Sequence, residues 1–412
     1  MIDTIVIGAG LGGLSAATRL AQRGQSVTLL TFGMGGVQLG QGTVDVLGYV
    51  NDRLIDRPFD GLDRLPRDHP YSKFELRTVT QALDWLSDLL PNIFRPGPIR
   101  NRLVPTALGV MRPTYLIQES MHWPNPATAA VVGPRQIKDF YPELMAANLE
   151  KTTNAKATGY HIDLPARPGE VDSNPVTYAK ALDNPDFLAG FINAIDAVLG
   201  NEDAICVPAI LGLTTNVHEQ MVTALGCPVI EVLMPPPSIP GMRVNNEMTA
   251  IAQSLGVEII MGSKVTGFSA SGSHLECVTL HQAGRNQSYC ADNFVYAGGG
   301  FESGSLAMDS YGKVSETLFN LPLVGCDDEN LITGDYWADQ KLFAVGVDVD
   351  ESMRPISPEG VIFDNLYAVG GLLAGAQRWT EKSGDGIALV SAYRAVNSIL
   401  GLVSSGKEAG DG

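Results

Sequence analysis

Cysteine, basic charge and long apolar runs are all scarce in this chain. Its 412 residues carry five cysteines, Cys206, Cys227, Cys277, Cys290 and Cys326, and no two stand in a C-x-x-C pair. That spacing argues against an iron–sulfur or zinc centre, and an odd, dispersed set suits a reducing cytoplasm. Lys and Arg number 28 against 45 Asp and Glu, for a formal net charge of −17. Nucleic-acid binding needs clustered cations, so that class of partner is set aside. A small anion held by a local Arg pair stays compatible with an acidic protein. The longest apolar runs, such as "AICVPAILGL" over 204–213, fall far short of the roughly 20 residues that span a bilayer. No amino-terminal stretch has signal-peptide form. The expected location is the cytoplasm, with membrane attachment only peripheral and through partners.

Glycine, by contrast, is abundant, at 45 residues. "DTIVIGAGLGGLSAATRLAQRGQSVTLLT" (3–31) reads as strand, glycine turn, helix, strand. Gly8, Gly10 and Gly13 form G-x-G-x-x-G in the context that gives the motif meaning: a tight turn, a close approach to phosphate, and a helix packed on its strand. The helix amino terminus then favours an anion through free N–H groups. One expected residue is absent. The second strand ends "LLTF" (29–32) with no Glu or Asp to hold an adenosine ribose. A glycine run follows, with Gly33, Gly35, Gly36, Gly40 and Gly42. We read Gly33 to Gly42 as a close-approach loop, with Thr31 as a further contact.

Two more strands end in glycine: "AGGG" (297–300), with Gly298 and Gly299, and "AVGG" (368–371), with Gly370 and Gly371. The helix "SGDGIALVSA" (383–392) follows, bringing Gly386 to its first turn. This three-part order is that of flavoproteins of the two-dinucleotide-binding type. The expected fold class is α/β: a doubly wound Rossmann-like flavoprotein domain of the glutathione-reductase or fumarate-reductase type with an inserted cap domain. The expected segments are 1–50, 241–300 and 346–403 for the nucleotide-binding domain, 51–240 for the cap, 301–345 for a cap return, and 404–412 for a flexible tail.

The chain resembles the B subunit of the anaerobic glycerol-3-phosphate dehydrogenases. The resemblance lies in "VIGAGLGGLSAATRLAQRG", "GTVDVL" (42–47), "HPYS" (69–72), "PPPSIPGMRVNN" (235–246), "DESMRP" (350–355), "NLYAVGGLLAG" (365–375) and "GDGIALVSA" (384–392). It implies a flavoprotein, usually assigned FMN, paired with a larger A subunit that carries FAD. An iron–sulfur C subunit anchors the pair at the membrane and its quinone. The implied reaction oxidises sn-glycerol 3-phosphate to dihydroxyacetone phosphate. The missing acid after "VTLLT" fits FMN, which has no adenosine ribose; FAD is the alternative. Two functions compete with this one: a non-catalytic electron relay or scaffold within the same complex, and a free-standing FAD oxidoreductase of fumarate-reductase-like type.

A phosphorylated substrate calls for Arg or Lys near the flavin. Arg243, in the "GMR" turn, and Arg354, before Pro355, are the candidates, with an interdomain salt bridge as the alternative for each. Arg378 and Lys382, in the loop before the last helix, read more simply as solvated. Alcohol oxidation also needs a base. His69 and His218 are the available histidines, and a structural role is the simpler reading of both. Asp385 reads as a helix cap. No metal site is expected.

Overall fold

The computed structural model describes residues 2–95, 99–214, 216–282, 284–327, 330–335 and 337–402. The tail expected at 404–412 lies outside the described residues.

The first strand, β1 (Ile2–Ile7), leads through α1 (Leu11–Gln22) into β2 (Val27–Thr31). Later segments return to the same sheet as β9 (Glu258–Met261), β12 (Arg285–Tyr296) and β13 (Leu366–Ala368). The parallel order is β9-β2-β1-β12-β13. Ile5, Val6, Leu29, Leu30, Phe294 and Val295 are fully buried. Strands buried on both faces read as continuous apolar runs. The helices α1, α5 (Ile239–Ser254) and α6 (Gly384–Ile399) pack on one another through α1. The strand order reverses between β1 and β12, since β2 and β9 are added on one side of β1 and β12 and β13 on the other, and the carboxyl ends there form the crevice where open α/β sheets bind ligands.

The amino-terminal half of β12 pairs instead with β11 (His274–Gln282), which pairs with β10 (Lys264–Ser271), both antiparallel. Cys277 and Cys290 face each other across this meander and form a disulfide, while Cys206, Cys227 and Cys326 are free thiols. The expectation of dispersed cysteines is corrected here. The pair lie thirteen positions apart in sequence, and only the hairpin brings them into register.

A second core lies in the inserted region. Its sheet is parallel, in the order β6-β5-β7-β8, from β5 (Thr128–Pro134), β6 (Lys156–Ile162), β7 (Ala204–Pro208) and β8 (Val229–Val232). The helices α3 (Pro142–Thr152) and α4 (Asn216–Leu225) pack beside it. This core runs from Ala107 to Met234, so it begins well past the boundary expected at residue 51. The intervening helix α2 (Leu76–Leu89) buries Val79, Ala82, Leu83 and Leu86 in the first core and packs on α6. An apolar stripe shows that a helix is amphipathic but not which sheet it meets. The hairpin β3 (Arg102–Pro105) and β4 (Met111–Thr114) then leads into the cap. Within the return segment, Leu306, Phe319 and Leu321 join the first core, whereas Leu331, Leu342 and Val345 form a small cluster of their own.

Candidate flavin site

The phosphate loop follows β1. Gly8 has φ +106°, and a Cβ there would overlap the carbonyl of Ala297 at the end of β12. Only glycine lets these two strands meet so closely. A Cβ on Gly13 would overlap the Gly8 carbonyl, so Gly13 seats α1 on β1. Gly10 differs from both, because nothing lies within 4 Å of a Cβ built on it. It caps α1 without a side-chain hydrogen bond, leaving the first-turn N–H groups as an anion cradle.

The glycine run after β2 divides into three parts. Thr31 donates its hydroxyl hydrogen bond to the Gly33 carbonyl at 2.5 Å, so it fastens its own turn. Gly35, at φ +73°, lies against the Ala9 carbonyl and the Gly10 nitrogen, which folds the loop over the phosphate turn. Gly42 instead abuts Pro240 and Gln118, where the Gln118 amide donates to the carbonyls of Gly42 (3.0 Å) and Pro240 (2.9 Å). It marks the junction with the cap.

A cleft of about 190 Å³ opens beside this loop. Ala9, Met34, Asn245, Thr249, Ile259 and Met261 are among its walls. Asn245 is 4% exposed, and its Oδ1 has no hydrogen-bond partner. A buried polar atom left without a partner is costly unless a ligand satisfies it. The cradle at Gly10, the loop over it and this orphaned acceptor all fit a flavin nucleotide carried on α1.

The other glycine-ended strands converge on the start of α6. Gly298 and Gly299 follow β12, and Gly370 and Gly371 follow β13. A Cβ on Gly371 would meet the Arg378 guanidinium, which also lies against Gly300 and donates to Glu302 Oε1 at 3.3 Å. Gly386 abuts the Tyr71 hydroxyl and the Asp45 carbonyl. The Asp45 N–H donates to Asp385 at 3.3 Å, and the Asp45 carboxylate takes both Nη groups of Arg112, from Nη1 at 3.1 Å and from Nη2 in a shorter contact. Burial, with the adjacent Asp45 charge, pushes the Asp385 carboxyl up to about 7 against the pull of Arg112. Burial also raises the Tyr71 phenol well above its ordinary range, helped by Asp385, Glu381 and Asp45. Lys382 is lowered by burial and by Arg112.

His69 is fully buried at this end. Its Nδ1 accepts the Tyr71 N–H at 3.1 Å, which leaves Nε2 to donate to Glu381 at 3.1 Å. Both nitrogens are engaged, so His69 holds the loop before α6 and offers no free base. Burial alone would raise Glu381, but hydrogen bonds from His69, Ser383 and the Gln377 N–H hold it below the usual carboxylate range. His218 sits on α4 in the cap, bonded through Nε2 to the Val229 carbonyl at 2.9 Å.

The two arginines expected to hold phosphate are committed elsewhere. Arg243 is 4% exposed and uses its guanidinium fully: Nε to the Gly212 carbonyl, Nη1 to Glu231 and Gln118, and Nη2 to Glu231 and the Leu211 carbonyl. It is the interdomain ion pair, because α5 carries it under the carboxyl end of β8. Arg354 closes a turn with Asp350 at 2.7 Å. The residues that do gather near α6, namely Asp45, Arg112 and Tyr71, carry no local motif. Only the "GTVDVL" and "HPYS" fragments hinted at two of them.

Among the described residues no helix is long and apolar enough to cross a membrane. The chain is 28% identical over 426 residues to the probable B subunit of the anaerobic glycerol-3-phosphate dehydrogenase of Halobacterium salinarum, covering 95% of this chain and 96% of that protein. It is 28% identical over 421 residues to the B subunit of the anaerobic glycerol-3-phosphate dehydrogenase of Pectobacterium atrosepticum, covering 97% and 98%. Among solved structures, the 3-ketosteroid delta1-dehydrogenase from Sterolibacterium denitrificans is similar over 97% of this chain and 99% of that one, with a TM-score of 0.47 and 10% identity. The FAD binding domain family matches residues 3–387, from β1 into the first turn of α6, and the chain belongs to that family of flavoproteins.

Proposed function

We propose that this chain is the flavin-bearing B subunit of an anaerobic glycerol-3-phosphate dehydrogenase. It oxidises sn-glycerol 3-phosphate to dihydroxyacetone phosphate. Electrons leave for membrane quinone through two partners, one larger and FAD-bearing, the other an iron–sulfur protein. The observation that carries the reading is the meeting of Arg112, Asp45, Asp385 and Arg378 where two glycine-ended strands reach the start of α6. Similarity to B-subunit relatives over nearly the whole chain supports the substrate.

We read the cofactor as FAD, against the expectation of FMN. The cleft extends from Ala9 to Ile259 and Met261 of β9, on the side of β1 away from β13 and α6. A mononucleotide phosphate on α1 would have no use for it, whereas an adenosine half would fill it. The missing acid after β2 therefore does not imply a missing nucleoside.

When bound, the flavin ring supplies the two-electron acceptor for the hydrogen on the alcohol carbon. Asp385 takes the hydroxyl proton on its carboxylate. Arg112 holds the Asp45 carboxylate through both Nη groups, which leaves Asp385 as the member of the pair that receives the proton. Arg378 and Lys382 hold the substrate phosphate in place of Arg243 and Arg354.

The test is to purify the chain, release its cofactor with acid and identify it, then add glycerol 3-phosphate to the loaded chain without oxygen. FAD and bleaching of its absorbance are expected. Released FMN would overturn the cofactor assignment. A loaded chain that substrate does not bleach, but reduced partner proteins do, would favour the relay function.

A further inference from the structure

The acid that usually holds an adenosine ribose is absent from the end of β2, yet the cleft at that place contains a buried, unpartnered acceptor. We infer that Asn245 of α5 is the nucleoside-reading residue of this chain: its Oδ1 accepts a hydrogen bond from a ribose hydroxyl of the adenosine half, doing from a helix what the strand-end acid would do. The inference rests on the FAD reading above.

Three observations carry it. First, α5 buries a stripe formed by Val244, Met248 and Ala252 in the first core. Asn245 is as buried as its neighbours, at 4% exposed, so an apolar side chain would be the ordinary occupant. Its Oδ1 nonetheless has no partner within the protein. Second, Asn245, Thr249 and Gln253 are spaced by four residues, so they lie in one row along the helix, and all three line the cleft. Ile259, Met261 and Met34 supply apolar surface. A slot with one polar wall and apolar surface opposite suits a flat base with a hydroxylated sugar. Third, the helix runs by a short turn into β9, so helix and strand are antiparallel. Asn245 therefore lies nearer than Gln253 to the carboxyl ends of the strands. The ribose, which follows the phosphates, meets Asn245 first, and the base extends toward Thr249 and Gln253.

An amide also suits the site electrostatically. Arg243, two residues away, spends its charge on Glu231. A neutral acceptor adds no uncompensated charge at the buried Asn245 position.

The experiment uses the full chain stripped of cofactor and titrated with FAD and with FMN, with AMP and inorganic phosphate as competing probes. Thermal unfolding without cofactor checks the fold of each variant. The unaltered chain should bind FAD at least about 100-fold more tightly than FMN, and AMP should displace FAD where phosphate does not. Asn245→Leu should weaken FAD binding about 10- to 100-fold, the loss of one buried hydrogen bond, and leave FMN binding unchanged. Asn245→Asp, which keeps an acceptor for ribose hydroxyls at the same place, should keep the preference for FAD. If the leucine variant does not fold, Asn245→Ala makes the same comparison. An FAD-to-FMN ratio that does not move in the variant overturns the role of Asn245 while leaving FAD as the cofactor. An unaltered chain that binds FMN as tightly as FAD, with AMP inert, overturns the FAD reading and this inference with it.

Discussion

Asp45 and Asp385 are joined twice through the backbone of one and the helix of the other. The Asp45 N–H donates to the Asp385 carboxylate at 3.3 Å, and the Gly386 N–H donates to the Asp45 carbonyl at 2.8 Å. Residues 340 positions apart thus form one unit. Arg112 bonds the Asp45 carboxylate through both Nη groups, which divides the pair into a carboxylate held in place and a carboxyl free to exchange its proton.

That division predicts a pH dependence of activity. Asp385 must be ionised to accept a proton, so kcat/KM should rise with pH through about 7. Asp385→Asn should lower kcat by roughly 10²- to 10⁴-fold and remove this limb. A variant with the same limb and rate would exclude Asp385 as the base.

Stability should run the other way. The folded-state pKa of Asp385 is raised to about 7, above roughly 3.9 for an unfolded Asp. Its contribution to stability is therefore fully present below about pH 4 and is lost as pH rises through about 7. The Asn variant should gain on the order of 1–3 kcal/mol relative to the unaltered protein between pH 5 and 8.5. Unfolding midpoints of both proteins across that window measure the difference.

Arg243→Ala should cost about 3–5 kcal/mol, because it leaves Glu231 buried without its cation. The glycerol 3-phosphate KM of protein that remains folded should be unchanged. A raised KM with an intact melting profile would return Arg243 to the substrate site.

Arg378→Ala should raise that KM at least about tenfold through loss of a charged phosphate contact, while Arg354→Ala should leave it unaltered. Steady-state kinetics of the two variants side by side decide between the two positions.

Gly10→Ala and Gly13→Ala should separate binding from folding. An added methyl at Gly10 meets nothing within 4 Å, and the residue has an ordinary extended backbone at φ −72°. Apoprotein stability should hold while flavin affinity falls more than about tenfold, since the methyl enters the phosphate approach. At Gly13 the methyl meets the Gly8 carbonyl. Stability itself should fall by more than about 1 kcal/mol. Melting of the apoproteins and flavin titrations of each report the two effects.

Local pattern was enough for the nucleotide-binding half. Gly8, Gly10 and Gly13 have roles set by contacts within one strand–turn–helix unit, and the apolar runs at Ile5–Ile7 and Phe294–Tyr296 mark strands covered on both faces. The order of the glycine-ended strands followed from the same short-range signals. Arg243 shows where that reach stops. Its charge was plain, but whether it faced a substrate or Glu231 depended on how the cap sheet docks on α5. The position of α2 was decided in the same way, by which core its stripe could enter.

The sequence by itself determined the phosphate turn, the doubly wound sheet and the absence of an acid after β2, because each is written in residues adjacent along the chain. Only the tertiary structure decided what that absence means. It set Asn245 of α5 without a partner beside Ala9, more than 200 positions away in the sequence, and joined Asp45, Arg112 and Asp385 from three separate segments. A side-chain hydrogen bond or ion pair between distant segments carries no periodicity along the chain. Its partners become neighbours only when burial of apolar surface brings their segments together.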